Sequence, residues 1–324
     1  MTETKKISVN RKGWNLATKL CDSSEEYRVI VEKTKLGTTI IDAGIRAKGG
    51  LEAGKVITEI CLGGYGIVEV FPVQYEDVTL PSILVRTDYP AISTLGSQFA
   101  DWRIKVGDYS AIGSGPARAL ARKNRELYEK IDYEDEADVA VLVLETNKEP
   151  QDQVVDQVSK ECKVAPECLM LILTPTTSLA GSIQVSGRIV ETGLHKLMKL
   201  GLDPKLVLQA FGWAPIAPVH PKFVEAMGRT NDAILYAGVT YYDAFGCKDD
   251  ELRDLVKKAP SSASKSYGKP FSEIFKEAKY DFYKIDPNFF APAVLTISNV
   301  ETGSVFRAGK VNVDVFKRSI GSQT

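Results

Sequence analysis

The chain is poor in the residues that build metal and disulfide sites. Its 324 residues include five cysteines and two histidines. Cys21, Cys61, Cys162, Cys168 and Cys247 are odd in number and scattered, with no CxxC pair. Only His195 and His220 could complete a shell, so no zinc site is expected, and scattered thiols suit a reducing compartment. Long hydrophobic runs are missing too. The strongest, over residues 139–144 and 169–173, are too short to span a bilayer, and the opening MTETKKISVN lacks the apolar core of a signal peptide. A cytoplasmic protein without membrane association is expected. Nor is there a surplus of either charge: 41 Lys and Arg stand against 42 Asp and Glu. That balance argues against a nucleic-acid partner, whose phosphates call for a positive excess. A small anion needs only a few placed cations or N–H groups and stays open. With no GK[ST], no GxGxxG and no GxSxG, the kinase, dinucleotide and serine-hydrolase readings lose their main support.

What is present suits a folded α/β protein. An apolar fraction of 44% and a charged fraction of 26% are ordinary for a globular chain. The length exceeds what one core usually serves, so two α/β lobes with a pocket between them are expected. The boundary is set near Pro150, giving residues 1–149 and 150–324. A helix is read over residues 14–20, a hairpin from 27–32 and 38–42 through Lys35-Leu36-Gly37, and a helix over 51–61. Strands follow over 67–71 and 82–86. Buried strands over 137–144 and 169–173 flank a helix over 152–162, a strand-helix-strand unit whose strands should run parallel. The pattern then predicts one helix over 181–200, a turn-rich stretch over 260–268, a helix over 271–278, and strands over 294–297 and 311–315.

Four segments carry polar groups in arrangements that chemistry can use. The run from Ser178 to Gly193 places Arg188 and Glu191 three residues apart, on one face of a helix. Small residues around Ser182 would let a ligand or another backbone approach. By spacing alone, an exposed ion pair is the simpler reading. Gly113-Ser114-Gly115-Pro116 precedes a helix start, where free N–H groups suit a phosphate or carboxylate; a capped helix facing water explains it equally well. Ser93, Thr94 and Gln98, near Trp102, offer hydroxyls, an amide and a ring for a heterocycle, and a buried helix accounts for them as readily. Asn231 and Asp232 precede an apolar stretch and read as a helix cap.

Taken together, Ser186-Gly187-Arg188-Ile189-Val190-Glu191-Thr192-Gly193, the Gly113–Leu120 stretch, Ala214-Pro215-Ile216-Ala217-Pro218, the run from Glu225 to Asp232 and the run from Asp281 to Pro287 resemble, in order and from about Ser8 onward, the methenyltetrahydromethanopterin cyclohydrolase family. The resemblance implies a two-lobed α/β homotrimer acting in one-carbon metabolism of the methanogenic kind, with no metal or redox cofactor. It implies a tetrahydromethanopterin-type carrier as substrate, whose methenyl bridge takes up water and opens to the 5-formyl form. Carried over by the matching motif, Glu191 is the general base and proton shuttle, and Arg188 orients it or the water. Ser93, Thr94, Gln98, Ser114, Gly115, Ser182 and Asn231 are the candidate carrier contacts. Two other readings keep the pocket: the same chemistry on a folate carrier, or a pterin-binding protein with reduced or lost catalysis.

The resemblance breaks in one place. Related sequences read closer to Ala-Gln-Lys-Ala-Gly-Trp where this chain has Ser97-Gln98-Phe99-Ala100-Asp101-Trp102. A lysine associated with the substrate site is thus Phe99 here. Compensation by Arg103 or Lys105, a different carrier tail, and weaker activity are the three consequences to distinguish.

Overall fold

The computed structural model describes residues 6–281 and 284–321; Phe282 and Tyr283, inside the last family-like block, lie outside the described residues. Twelve strands among those described form two six-stranded sheets. Sheet A takes β1 (Ile30–Lys33), β2 (Thr39–Asp42), β5 (Trp102–Val106), β6 (Tyr109–Ser114), β7 (Ala140–Glu145) and β8 (Leu169–Leu173) in the order β1-β2-β8-β7-β6-β5. Sheet B takes β3 (Ile67–Tyr75), β4 (Val78–Thr87), β9 (Val207–Pro215), β10 (Val239–Ala244), β11 (Val294–Asn299) and β12 (Val305–Gly309) in the order β12-β11-β10-β9-β4-β3. The sheets interleave along the chain. A cut between residues 149 and 150 would sever β8 from its parallel neighbour β7, and β3 and β4 belong to the later sheet.

The apolar runs follow from coverage. In sheet A, Val141 and Val143 of β7 pack with Ala17, Leu20, Ile57 and Ile60 from two helices, Val9–Asp22 and Leu51–Cys61. Leu142 and Leu144 face the other way, onto Val154, Val155 and Val158 of the helix Asp152–Cys162. A sheet buried on both faces needs apolar side chains at successive positions, which removes the alternation. As the sequence predicts, β7, this helix and β8 form a parallel unit. Sheet B is covered on one face. Val68, Ile83, Val85, Ala210 and Tyr242 pack with Ile189, Val190 and Leu194 of the helix Ile189–Lys199, whereas Ile67, Arg86 and Phe211 are exposed.

Several elements differ from the expectations. The helix read over 181–200 is two helices, Leu179–Ser186 and Ile189–Lys199, broken at Gly187 and Arg188. The first follows β8 of sheet A and the second packs under sheet B, so Arg188 sits where the chain passes between layers. Gly187 is needed there: a Cβ would lie 2.4 Å from Thr58. Residues 24–27 are a helical turn, and β1 begins only at Ile30. The last strand is Val305–Gly309, while Val313–Ile320 is a helix, because Asn312 accepts the N–H of Val315 as a cap and Val313, Phe316 and Ile320 recur at helical spacing. Asn231 and Asp232 do not cap a helix of their own. They lie inside the helix Phe223–Ala237, which continues through Gly228 because Ser272 packs against that residue, 2.8 Å from where a Cβ would stand.

Candidate active site

Arg188 and Glu191 are both buried, which excludes a surface ion pair. A guanidinium inside the protein must satisfy its donors there. Arg188 donates from Nη1 to the carbonyl of Gln98 at 2.6 Å, and from Nη2 to Ser114 Oγ at 2.8 Å and to Gln184 Oε1 at 3.1 Å. Three elements therefore converge on one side chain: the end of residues 91–98, the end of β6 and the helix before the break. Gln98 returns the contact, donating from Nε2 to the carbonyl of Gly187 at 3.0 Å.

Residues Ala91–Gln98 form a π-helix, a geometry that leaves the carbonyls of its last turn without intrahelical partners. Each is met from outside. Leu95 and Ser97 accept from Arg118 Nη1 at 3.0 and 3.3 Å, and Gly96 accepts from the Tyr128 hydroxyl at 2.8 Å. Ser97 also accepts the N–H of Gly115 at 2.9 Å, and Gln98 accepts from Arg188. Gly115, at φ +98, holds the left-handed backbone that this approach requires. Its N–H thus serves the π-helix, and the helix after Pro116 spans only Ala117–Ala121.

Glu191, in the first turn of its helix, accepts no hydrogen bond from any described residue. Burial without donors disfavours the carboxylate and pushes its pKa up to about 7. The positive charges of Arg188 and Arg118 act against that rise, and Asp101 adds to it. Tyr242 supports the same turn by donating to the Val190 carbonyl at 2.8 Å. One turn on, His195 lies against Phe99 with ring centroids 4.6 Å apart. Burial, with Lys199 and Lys196 nearby, lowers the His195 pKa to about 4, so the ring is neutral. The guanidinium of Arg118 stands 5.4 Å from the Phe99 centroid and pairs with Asp101 at 2.6 Å. The cation beside Phe99 is therefore Arg118, while Arg103 and Lys105 are exposed along β5.

The remaining candidates sort by what holds them. Gln98, Ser114 and Gly115 gather around Arg188. Thr94 donates to the Pro90 carbonyl at 2.6 Å, Ser93 and Thr87 share a hydroxyl contact at 3.0 Å, and Ser182 donates to the Ala217 carbonyl at 2.6 Å. Asn231 donates to the Met227 carbonyl at 2.8 Å. Close packing explains the glycines near Ser182: a Cβ on Gly181 would meet the Pro175 carbonyl oxygen at 2.0 Å, and one on Gly193 the Tyr242 hydroxyl at 2.1 Å. Sequence reasoning missed Gln184, Arg118 and His195. Helical spacing was the available signal for two of them, Gln184 four residues before Arg188 and His195 four after Glu191. No local pattern marks Arg118. Gln98 Oε1 and Gln184 Nε2 are buried without partners among the described residues, one an acceptor and one a donor.

Similarity to known proteins enters at this point. The family model described as cyclohydrolase (MCH) matches residues 8–320. Relatives from several methanogens carry the name methenyltetrahydromethanopterin cyclohydrolase, three of them as follows. The protein of Methanocaldococcus jannaschii is 49% identical over 318 residues, 97% of this chain and 98% of its own. That of Methanothermobacter marburgensis is 48% identical over 318 residues, 97% and 99% of the two chains. That of Methanococcoides burtonii is 44% identical over 315 residues, 97% and 98%.

Proposed function

The chain belongs to the methenyltetrahydromethanopterin cyclohydrolase family, and from that premise we propose how its residues carry out the hydrolysis: Glu191 is the general base and proton shuttle, and Arg188 organises the surrounding polar groups. The observation that carries the assignment is a buried carboxylate, without donors, whose pKa is pushed up to about 7. A base poised near the working pH can take a proton and return it. The methenyl carbon is already an electrophilic amidinium, so the reaction needs neither redox chemistry nor a Lewis acid.

Water adds to that carbon as Glu191 accepts one of its protons, forming a neutral tetrahedral adduct. The bond from carbon to one nitrogen then breaks, the hydroxyl becomes the formyl carbonyl, and Glu191 delivers a proton to the leaving nitrogen. Of the two protons of water, one ends on that nitrogen and one leaves to solvent, which balances the positive charge lost by the substrate. A Glu191 carboxylate also complements the incoming cation. Arg188 is engaged with Gln98, Ser114 and Gln184 and makes no hydrogen bond to Glu191, so its influence on the acid is electrostatic. The free ends of Gln98 and Gln184 are suited to the polar edge of the pterin.

The homotrimer and the cytoplasmic location belong to the same reading. Support for assembly is the uncovered face of sheet B, where Phe211 stacks with Trp213 at 6.4 Å and with Tyr241 at 5.1 Å. An aromatic ladder of this kind gains from leaving water. Support for the location is five free cysteines. No helix among the described residues is long and apolar enough to cross a membrane.

The test mixes purified protein with the methenyl forms of tetrahydromethanopterin and, separately, tetrahydrofolate, and follows loss of the conjugated methenyl absorbance beside a Glu191→Gln control. Rapid loss with the methanopterin form, abolished in the control, is expected. Saturable binding without turnover would instead favour a carrier-binding protein.

A further inference from the structure

Arg118 is a buried cation outside the residues given a chemical role above, 1% exposed, with a single carboxylate partner among the described residues. Its guanidinium divides its donors between two duties. Nε and Nη2 hold Asp101 Oδ1, each at 2.6 Å, while Nη1 reaches the Leu95 and Ser97 carbonyls. The next carbonyl along, that of Gln98, is the one that receives Arg188. The two arginines therefore grip successive peptides at one helix end, and the Phe99 ring lies beneath the guanidinium of Arg118 and against His195. Displacing the Ser97–Gln98 peptides would move the acceptor on which Arg188 is seated.

We infer that Arg118 and Asp101 form a positioning pair for the hydrolysis: Arg118 fixes the π-helix end that seats Arg188, and Asp101 sets how much of the Arg118 charge reaches Glu191. This rests on the reading of Glu191 as the base. The charged and titratable groups around Glu191 are Arg188 at its own helix start, Arg118 and Asp101 from the facing segments, Tyr242 from β10, and His195 one turn along. Among them Asp101 acts in opposition to the arginines.

Lysine at position 118 keeps the charge but cannot hold two carbonyls and a carboxylate in one plane. Arg118→Lys should lower kcat about tenfold with KM within about threefold, and leave the pH profile in place. Asp101→Asn keeps the shape but removes the charge, so the unmasked Arg118 favours ionised Glu191. The rising limb of kcat against pH should then move to lower pH, by about half a unit or more. Both variants, wild type and Glu191→Gln are compared as kcat per folded protein, KM and the full pH profile, with circular dichroism as the folding check. A merely structural pair would lower stability in both variants without moving the limb. The inference is overturned if Asp101→Asn leaves the limb in place or Arg118→Lys turns over normally, even while Glu191→Gln is inactive. An active Glu191→Gln would instead overturn the general-base reading. If Arg118→Lys fails to fold, the less buried Asp101→Asn decides alone.

Discussion

Two acids are buried on separate helices of this protein, and burial raises the pKa of both, Glu191 to about 7 and Asp232 to about 8. Their surroundings differ in kind. Asp232, within the helix Phe223–Ala237, accepts the Phe271 N–H at 2.9 and 3.0 Å and the Ser319 hydroxyl at 2.5 Å. It thereby joins three helices and caps the short one, Phe271–Glu277. Glu191 has two arginines near it and no hydrogen-bond donor on it among the described residues. A displaced pKa therefore does not identify a catalytic acid. What separates the two is whether the fold has already used the oxygen atoms.

The largest effect expected from this contrast is at Glu191. Glu191→Gln should lower turnover by roughly 10² to 10⁴ fold while the protein stays folded, measured as methenyl loss per folded site. In the wild type, turnover should rise from the acid side through about pH 7, where the base becomes ionised. Near-normal turnover in the variant would erase the distinction between the two acids.

Asp232→Ala should show the reverse. It strands the Phe271 N–H and the Ser319 hydroxyl in the interior, at a cost of about 3 kcal/mol, read by urea unfolding. Turnover of the protein that remains folded should be unchanged. A loss of turnover in well-folded Asp232→Ala would mean that the joint between these helices shapes the site.

The pH dependence of stability sharpens the comparison further. The folded pKa of Glu191 is raised, so the native state keeps a proton that the unfolded chain releases near the ordinary carboxylate range. The associated stability is full below that range and is lost as pH rises through about 7. By pH 8 the buried charge should cost about 3 kcal/mol relative to acid conditions. Glu191→Gln carries no such titration, so its stability should gain on that of the wild type between pH 5 and pH 8. Parallel curves for the two proteins would show that Glu191 is solvated in the folded state. Asp232 contributes with the same sign, which is why the difference between variant and wild type, rather than the wild-type curve, isolates Glu191.

How much of this was legible in the sequence depends on the range of the interactions. The strand-helix-strand unit of β7 and β8 was readable because sheet A is covered on both faces, which writes unbroken apolar runs into the chain. The break at Gly187 was not, since the contact that requires glycine there is with Thr58, remote in sequence. Arg188 and Glu191 could be paired by spacing, but spacing carries no information on burial and favoured an exposed pair. The helix Val313–Ile320 was mistaken for a strand because Val311, Val313 and Val315 alternate, while the Asn312 cap decides the matter. Arg118 has no local signature at all: its partners are carbonyls 21 and 23 residues away and a carboxylate 17 residues away.

The smallest predicted effect concerns Asn231, one helical residue before Asp232 yet only partly buried. Its side chain donates to the Met227 carbonyl one turn back, a bond that leaves Oδ1 available and adds little to a helix whose backbone is already paired. A carrier contact through that oxygen would act equally on the bound substrate and the transition state, so it would appear in KM rather than in kcat. Asn231→Ala should accordingly raise KM by no more than about threefold, at constant kcat and with stability changed by about 0.5 kcal/mol or less. A fall in kcat would place Asn231 with Glu191 in the chemistry; a stability loss of the size expected at Asp232 would place it with the helix joint instead.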